Sequence, residues 1–285
     1  MKKINAVTLP AIRDIVYRTK GNQHGPITRL VSPSDIGQMI KPFVFLDYFE
    51  WQGSFGEGVG WHPHSGIATI TYLLNGDIQY EDSTGKQGVL PAGGVEWMRA
   101  GGGVWHTGKV SGGSLKQGFQ LWIALPHDQE LAPAESLYLA PQNVPESGPV
   151  RVILGRYAGT SSPIPSPPTL SYLAVHLRGG KHWRFEPEPG HSVLWLCVQS
   201  GQLHAAEPIA AKELAVFSES ETPIDFRAEG DTIFILGSAM KHPHDLALGN
   251  YSVHTNKETL RQGEMGIKKI AAQLFKQGKL GGSYP

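Results

Sequence analysis

The sequence has one cysteine, no excess of either charge and no long apolar segment. Cys197 is the single cysteine among 285 residues, so no disulfide can form within the chain, as is typical of a reducing compartment. It lies in the apolar run VLWLCVQ, which favours a buried core thiol over a nucleophile. No stretch approaches the roughly 18 apolar residues of a membrane-spanning helix, and the N-terminus has no apolar stretch of signal-peptide length. We therefore expect a soluble, cytoplasmic protein without a membrane partner.

The balance of charge argues against a nucleic-acid partner. Lys plus Arg is 25 and Asp plus Glu is 25, so the formal net charge is zero. A protein that binds the phosphate backbone directly carries a basic excess, which this chain lacks. Hydrophobic residues make up 40% of the chain, which is enough for a packed core.

Many short apolar runs, together with 35 glycines and 21 prolines, predict an all-β chain with many turns. The Asn75-Gly76 pair between two such runs predicts a β-hairpin with positive φ at both residues. The runs that predict strands are ATITYLL, DIQYED, GVEWM, GFQLWIAL, RVILGRY, SYLAVHL, SVLWLCVQ, QLHAA, ELAVF and DTIFILG.

The two halves of the chain resemble each other. SVLWLCVQSGQLHAAE repeats the strand-turn-strand pattern of IATITYLLNGDIQYED, and Gly76 and Gly201 are 125 positions apart. The proline-rich stretch 159–170 between the halves predicts a loop or an interdomain connection. We predict two domains, residues 1–150 and 151–285. The same offset places 187–189, which contain no histidine, at the position of 62–64, so only the first half should carry metal chemistry.

The C-terminus changes to helical spacing. Thr255 and Glu258 have the spacing of a capping box, T-x-x-E, and apolar residues then recur at helical intervals. These features predict one helix near 257–277.

The segment GVGWHPHSG places two histidines around a proline. In a strand, residues two apart point to the same face, so His62 and His64 project together, and Pro63 favours a strand end or edge. His106, which follows three consecutive glycines in AGGGVWHTG, is a third candidate ligand. Three histidines suit iron, zinc, copper or nickel rather than calcium or magnesium. The alternative is that such histidines bind no metal, which we favour for the second HPH, 242–244, because it lies beyond the last predicted strand with no hairpin after it.

The block from GWHPHSG to GGGVWHTG resembles the signature of the pirin family. It contains the HPH, the TYLL segment with its glycine turn, the D-S-x-G turn, WM-x-AG and the final histidine; FQLWIALP, PFVFLDYF and YSVHTNKE also match. The resemblance implies a bicupin, two tandem antiparallel β-barrels of jelly-roll type, followed by the helix predicted above. It also implies one metal, usually iron, held in the first barrel by His62, His64 and His106.

The sequence departs from the family pattern at three positions. A family glutamate two residues after the last histidine is Gly108 here, a second family glutamate is Ala68, and the arginine after HPH is Ser65. Without a carboxylate ligand the metal charge is uncompensated, so weak or absent metal occupancy becomes an expectation. Glu96 is a candidate substitute base, although the simpler interpretation is a solvated strand residue. Trp61, Trp97, Trp105 and Trp122 are candidates for a pocket lining, or for core filling.

The resemblance implies two functions of different classes. One is a metal-dependent dioxygenase of the quercetin 2,3-dioxygenase type, in which the metal holds a phenolic substrate by a deprotonated oxygen and dioxygen cleaves the ring. The other is a non-catalytic protein that acts through protein partners, with a metal that is structural, redox-sensing or absent. Metal-dependent oxygen uptake separates the two. The sequence assigns no catalytic residue.

Overall fold

The structure is a computed structural model that describes residues 13–52, 58–110, 113–166 and 169–281. Residues 1–12, which open the N-terminal segment considered above, and residues 167–168 of the proline-rich stretch lie outside these ranges.

The predicted all-β fold is confirmed. In chain order the strands are β1 (Ile15–Thr19), β2 (Asn22–His24), β3 (Ile27–Val31), β4 (Phe43–Trp51), β5 (Gly58–His64), β6 (Ile67–Asn75), β7 (Asp77–Asp82), β8 (Gln87–Pro91), β9 (Val95–Arg99), β10 (Val104–Val110), β11 (Lys116–Ala124), β12 (Glu135–Leu139), β13 (Glu146–Ser147), β14 (Val150–Leu154), β15 (Arg156–Tyr157), β16 (Thr160–Ser161), β17 (Leu170–Leu177), β18 (His182–Phe185), β19 (Val193–Ser200), β20 (Gln202–His204), β21 (Pro208–Ala210), β22 (Leu214–Phe217), β23 (Ile224–Ala228), β24 (Thr232–Ala239), β25 (Ala247–Leu248) and β26 (Val253–His254).

Each half forms a barrel from one seven-stranded and one four-stranded antiparallel sheet. In the first half the orders are β12-β9-β6-β11-β4-β3-β2 and β5-β10-β7-β8. In the second half they are β1-β22-β19-β24-β17-β14-β13 and β18-β23-β20-β21. The orders correspond strand by strand, which supports the internal duplication seen in the sequence. The fold is the tandem jelly-roll arrangement of a bicupin.

The first described strand belongs to the second barrel. β1 pairs with β22, at the place that β12 fills beside β9 in the first barrel. A strand from the beginning of the chain thus closes the edge of the sheet formed by its second half, which would otherwise leave unpaired backbone groups. The division of the chain at residue 150 stays a prediction, and β1 crosses it.

The hairpin prediction at Asn75-Gly76 is wrong. β6 and β7 are consecutive but do not pair with each other, because both edges of β6 are occupied by β9 and β11. The turn is instead a corner at which the chain passes from the seven-stranded to the four-stranded sheet. Gly76 alone of the two has positive φ, +75°, and a Cβ there would lie 2.3 Å from Lys116 Cδ.

The largest hydrophobic cluster lies between the two barrels. It joins residues of both seven-stranded sheets, including Trp97 and Trp195, and also buries Cys197. The predicted core position of Cys197 is confirmed, and burial raises the pKa of its thiol. The second barrel's interior is filled by a separate apolar cluster. In the first barrel a smaller apolar cluster occupies only part of the interior.

The described residues contain two α-helices, α1 (Ile36–Ile40) and α2 (Lys257–Lys276), and one 3₁₀ turn, Pro141–Asn143. The C-terminal helix is confirmed, but the capping residue was misassigned by one position. Asn256 caps α2 by accepting from the N–H groups of Glu258 and Thr259, because the hydroxyl of Thr255 is directed to the buried Glu130. Neither helix has both the length and the apolar composition needed to cross a membrane.

Candidate metal centre

The HPH segment forms the end of an edge strand. His62 and His64 lie on β5, the outermost strand of its sheet, and His64 is its last residue. Pro63 lacks an N–H group, so an edge position loses no ladder hydrogen bond on the open side. The strand-edge prediction is confirmed. Because they are two residues apart in extended backbone, the two histidines point to the same face of β5, and both rings contact the ring of His106.

His106 lies directly opposite His62 on the neighbouring strand β10. The ring centroids are 4.2 Å apart for His62 and His106, 5.0 Å for His62 and His64, and 5.1 Å for His64 and His106. One nitrogen from each ring lies within 4.8 Å of the other two. The structure therefore brings the three predicted histidines together. Among the residues that the structure describes, no other group of three or more such side chains is close enough to hold a metal ion.

Backbone carbonyl groups orient the two histidines of β5. His62 Nδ1 lies 2.8 Å from the carbonyl oxygen of Gly60, and His64 Nδ1 lies 3.2 Å from that of Tyr251. An imidazole whose Nδ1–H donates to a carbonyl keeps its Nε2 lone pair free for a metal ion. These two carbonyl groups thus leave Nε2 as the nitrogen of each ring that can bind a metal ion.

A carboxylate does the same for His106. Its Nδ1 lies 3.3 Å from Glu96 Oε1, and its Nε2 is buried without a hydrogen-bond partner among the described residues. A buried polar nitrogen without a partner is costly in a folded protein, and a bound cation would satisfy it. This orphaned nitrogen, beside two similarly oriented rings, shows that the donor set fits a divalent metal of the softer kind, such as iron, nickel, copper or zinc.

Burial keeps the histidines of β5 in their neutral form. It lowers the pKa of His62 to about 3, with a further electrostatic contribution from the neighbouring His106. It also holds the pKa of His64 well below its ordinary value of 6.5, with smaller contributions from His62 and His106. Metal ligation requires unprotonated imidazole. Both rings are therefore ready to coordinate at neutral pH without losing a proton.

Glu96 is not the solvated strand residue that the simpler interpretation expected. It is 7% exposed, and its side chain enters the first barrel from β9. Its Oε2 accepts from Thr71 Oγ1 at 2.6 Å, while its Oε1 lies 3.5 Å from the hydroxyl of Tyr138. Burial raises the pKa of Glu96, but hydrogen bonds from His106 and Thr71 outweigh it, and the net pKa is lowered. A buried carboxylate thus contacts the histidine cluster through His106.

The two positions that lack a family glutamate differ in their surroundings. Gly108 lines the cavity beside the histidines, where an added Cβ would meet one atom within 4 Å, Ile78 Cγ2 at 3.4 Å. The side chain of Ala68 does not line the cavity and packs instead in the core between the barrels. Only Gly108 therefore leaves a gap at the cluster itself.

The histidine cluster lies at one wall of a cavity of about 340 Å³ in the first barrel. Trp122 forms part of this wall; its ring stacks on Phe45 at 4.0 Å and meets the His64 ring edge-on at 4.8 Å. The exposed residues Val59 and Tyr251 also line the cavity, so it reaches the surface there. The volume is within the range of small-molecule sites, and the lining is mainly apolar with a few polar groups.

Of the four candidate tryptophans, only Trp122 lines the cavity. Trp97 packs between the barrels. Trp105 packs against the apolar face of α2 and donates from Nε1 to the carbonyl oxygen of Ile267 at 3.0 Å. Trp61 packs against the same apolar contact between Trp105 and α2. Trp97 and Trp105 therefore fill core positions, whereas Trp61 is partly buried.

Comparisons with known proteins agree with the fold and the site. The family model described as Pirin matches residues 26–123. A pirin-like protein of Caulobacter vibrioides is 31% identical over 252 residues, covering 84% of this chain and 86% of its own length. The chain belongs to the pirin family.

Among solved structures, a quercetin 2,3-dioxygenase from Acinetobacter baumannii aligns with a TM-score of 0.81 at 25% identity, covering 96% of this chain and 100% of that one. A bacterial pirin from Escherichia coli, solved in complex with nickel(II), aligns with a TM-score of 0.64 at 16% identity, over 79% and 99% of the two chains, and so shares the fold.

Behind His64 this pirin has a buried chain of polar contacts that the sequence did not reveal. Ser65 Oγ lies 2.9 Å from His254 Nε2, and His254 Nδ1 lies 3.5 Å from Glu130 Oε2. The residue types match a nucleophilic triad, but Ser65 and Glu130 are 0% exposed and no substrate can reach them. The chain of contacts instead holds β26 against the end of β5. It therefore fixes the segment whose Tyr251 carbonyl orients His64.

The second barrel has aromatic residues where the first has histidines. Trp183 pairs with Phe226 across β18 and β23, as His62 pairs with His106 across β5 and β10, and Phe185 follows Trp183 by two positions. The three aromatic rings pack in the apolar core of that barrel. The 125-residue offset fails here because seven residues, 186–192, separate β18 from β19, whereas two separate β5 from β6. That only the first half carries metal chemistry stays a prediction.

Proposed function

We propose that this pirin is a metal-dependent dioxygenase of the quercetin 2,3-dioxygenase type that acts on a small phenolic substrate in the first barrel. The observation that carries the proposal is the convergence of three imidazoles, two with a free Nε2 set by carbonyl groups and one with a buried, unpartnered Nε2. The likeness to the Acinetobacter baumannii enzyme over the full chain supports the reaction type.

The residues around the cluster fit a flat, partly polar ligand. The stacked rings of Trp122 and Phe45 offer an aromatic wall, and Thr71 and Gln120 present a hydrogen-bonded polar pair to the same cavity. The guanidinium of Arg29 lies over the Phe45 ring at 4.0 Å. These groups would bind and orient the substrate while the apolar lining excludes water. A divalent metal held by the three histidines would supply Lewis-acid polarisation of a substrate oxygen.

The first test is metal content and oxygen uptake. Protein purified without a histidine tag or chelators would be compared with a His62→Ala, His64→Ala double variant after supply of Fe²⁺, Ni²⁺, Zn²⁺ or Cu²⁺. The second HPH offers a matched control, His242→Ala, His244→Ala, because it has the same sequence outside the cavity. We expect near-stoichiometric metal in the wild type and the control, none in the double variant, and metal-dependent oxygen uptake with a flavonol.

Two results would contradict the proposal in different ways. Absence of metal from the wild type under all four conditions would exclude the metal centre. Stoichiometric metal without oxygen uptake with any flavonol would exclude the dioxygenase and leave a binding protein with a structural or redox-sensing metal. The loss of a carboxylate at Gly108 is the observation that favours this second outcome.

A further inference from the structure

A divalent ion held by three imidazoles in a buried site needs a nearby negative charge. The imidazoles are neutral ligands, and the cost of removing a dication from water is recovered only when opposite charge lies close to it. Position 108, two residues from His106 on the cavity wall, is a glycine and supplies none. The compensating charge must therefore come from outside the set of direct ligands.

Two carboxylates line the cavity among the described residues, and one of them is already neutralised. Both oxygens of Asp47 accept from the guanidinium of Arg29; Nη2 lies 3.1 Å from Oδ2, and Nε contacts Oδ1. Glu96 has no ion pair with lysine or arginine in the described part of the chain, and its ion-pair partner there is His106. Its charge is therefore available to the cluster.

We propose that Glu96 is the charge-compensating and positioning residue of the metal centre and acts through His106. Its Oε1 accepts from His106 Nδ1, which fixes the ring with Nε2 toward the cluster, while Thr71 fixes the carboxylate from the other side. A carboxylate that is hydrogen-bonded to a ligating histidine makes that histidine a more basic ligand. It also places a negative charge on the far side of the imidazole ring from the ion. The proposal rests on the metal centre described above.

The charge and the orientation can be separated by substitution. Glu96→Gln keeps the size of the side chain and an oxygen that accepts from His106, but it removes the charge. Gly108→Glu adds a carboxylate directly beside the cluster, where there is space for a side chain. Glu135→Gln is the matched control, because Glu135 is an exposed carboxylate on β12, the strand that pairs with β9.

The measurement is the dissociation constant for Ni²⁺ of each chelator-treated variant, by competition with a metal-binding dye. We expect Glu96→Gln to weaken binding about 10- to 100-fold, as for other residues that support a ligand, and Glu135→Gln to stay within about twofold of the wild type. Gly108→Glu should restore binding to the Glu96→Gln variant and should improve the wild type less. A residue that only supports folding would show no such rescue. Thermal unfolding of the metal-free variants confirms that each is folded.

The outcomes distinguish the two proposals. Wild-type binding that Glu96→Gln leaves unchanged would overturn the role of Glu96 and keep the metal centre. Equal gains from Gly108→Glu in both backgrounds would do the same. Absence of binding to the wild type would overturn both. If Glu96→Gln does not fold, Glu96→Asp replaces it: this change keeps the charge but withdraws it from His106, and an affinity equal to that of the wild type would refute the proposal.

Discussion

The metal-free protein should lose stability as the pH falls below 6.5, because histidines are buried in their neutral form. Burial lowers the pKa of His62 from 6.5 to about 3, and that of His64 well below 6.5. In the unfolded chain these rings take up protons below pH 6.5, whereas in the folded chain they do not. The unfolded state then binds more protons, so the free energy of unfolding falls as the pH decreases from 6.5 toward the folded pKa.

The size of the effect follows from the shift. A pH of 5 lies about 1.5 units below the pKa of His62 in the unfolded chain. Protonation of this ring in the unfolded chain therefore lowers the free energy of unfolding by about 2 kcal/mol relative to pH 8. Burial also lowers the pKa of His64 well below its ordinary value of 6.5, so protonation of this ring in the unfolded chain adds to the same fall. The contribution of His62 alone, about 2 kcal/mol, is already a large share of the roughly 5–15 kcal/mol that stabilises a typical protein.

Urea unfolding of chelator-treated protein at pH 8, 7, 6 and 5 measures this fall. A His62→Gln variant should show a fall between pH 8 and pH 5 that is smaller by about 2 kcal/mol, because one buried neutral ring has been removed. His176→Gln, at an exposed position of β17, is the matched control for loss of a histidine. Parallel curves for the wild type and His62→Gln would refute the assignment of a half-buried, neutral His62.

Three further changes test the packing and the site. In Gly263→Ala the new Cβ would lie 2.4 Å from Ser65 Oγ and 2.5 Å from His254 Nε2, so the free energy of unfolding should drop by about 1–3 kcal/mol, and an unchanged urea midpoint would contradict this. Trp122→Ala should lower the free energy of unfolding by about 3 kcal/mol in the same assay, because it removes a buried side chain from the cavity wall. A loss below about 1 kcal/mol would show that the packing of Trp122 contributes little to stability. Ni²⁺ at 100 times its dissociation constant should stabilise the wild type by about 2.7 kcal/mol, and His64→Ala should abolish that gain; a gain that persists in the variant would place the ion elsewhere.

The strands could be predicted because alternation is a local property, whereas their sheet partners could not. The segment IATITYLL is strand β6, as its alternation indicates, and the glycine turn after it exists. The hairpin failed because β9 and β11 compete for the edges of β6, and both lie further along the chain. The residues around Asn75-Gly76 therefore do not indicate with which strands β6 pairs. The placement of β1 in the second barrel is non-local for the same reason.

The candidate site was predictable in part. The two-residue spacing of His62 and His64 put both rings on one face. His106 was a candidate from its glycine-rich segment, but only the family resemblance placed it beside the other two, because its partner strand is distant in sequence. Glu96 was misjudged because VEWM is buried on both faces, so alternation did not separate the core side from the cavity side. The apolar Met98, which shares the face of Glu96, was the available signal that this face is interior.

Comparison of the two barrels supports a functional origin for the polar cavity. The same fold closes a fully apolar interior in the second barrel, with Trp183, Phe185 and Phe226 at the places of the three histidines. The first barrel instead keeps buried imidazoles, a buried carboxylate and an unpartnered nitrogen, each of which makes folding less favourable than the aromatic alternative. Since the fold does not require these polar groups, their arrangement around one point is best accounted for by a ligand that satisfies them. The proposed divalent cation, held by the three Nε2 atoms and compensated through Glu96, would satisfy the nitrogens and the charge together.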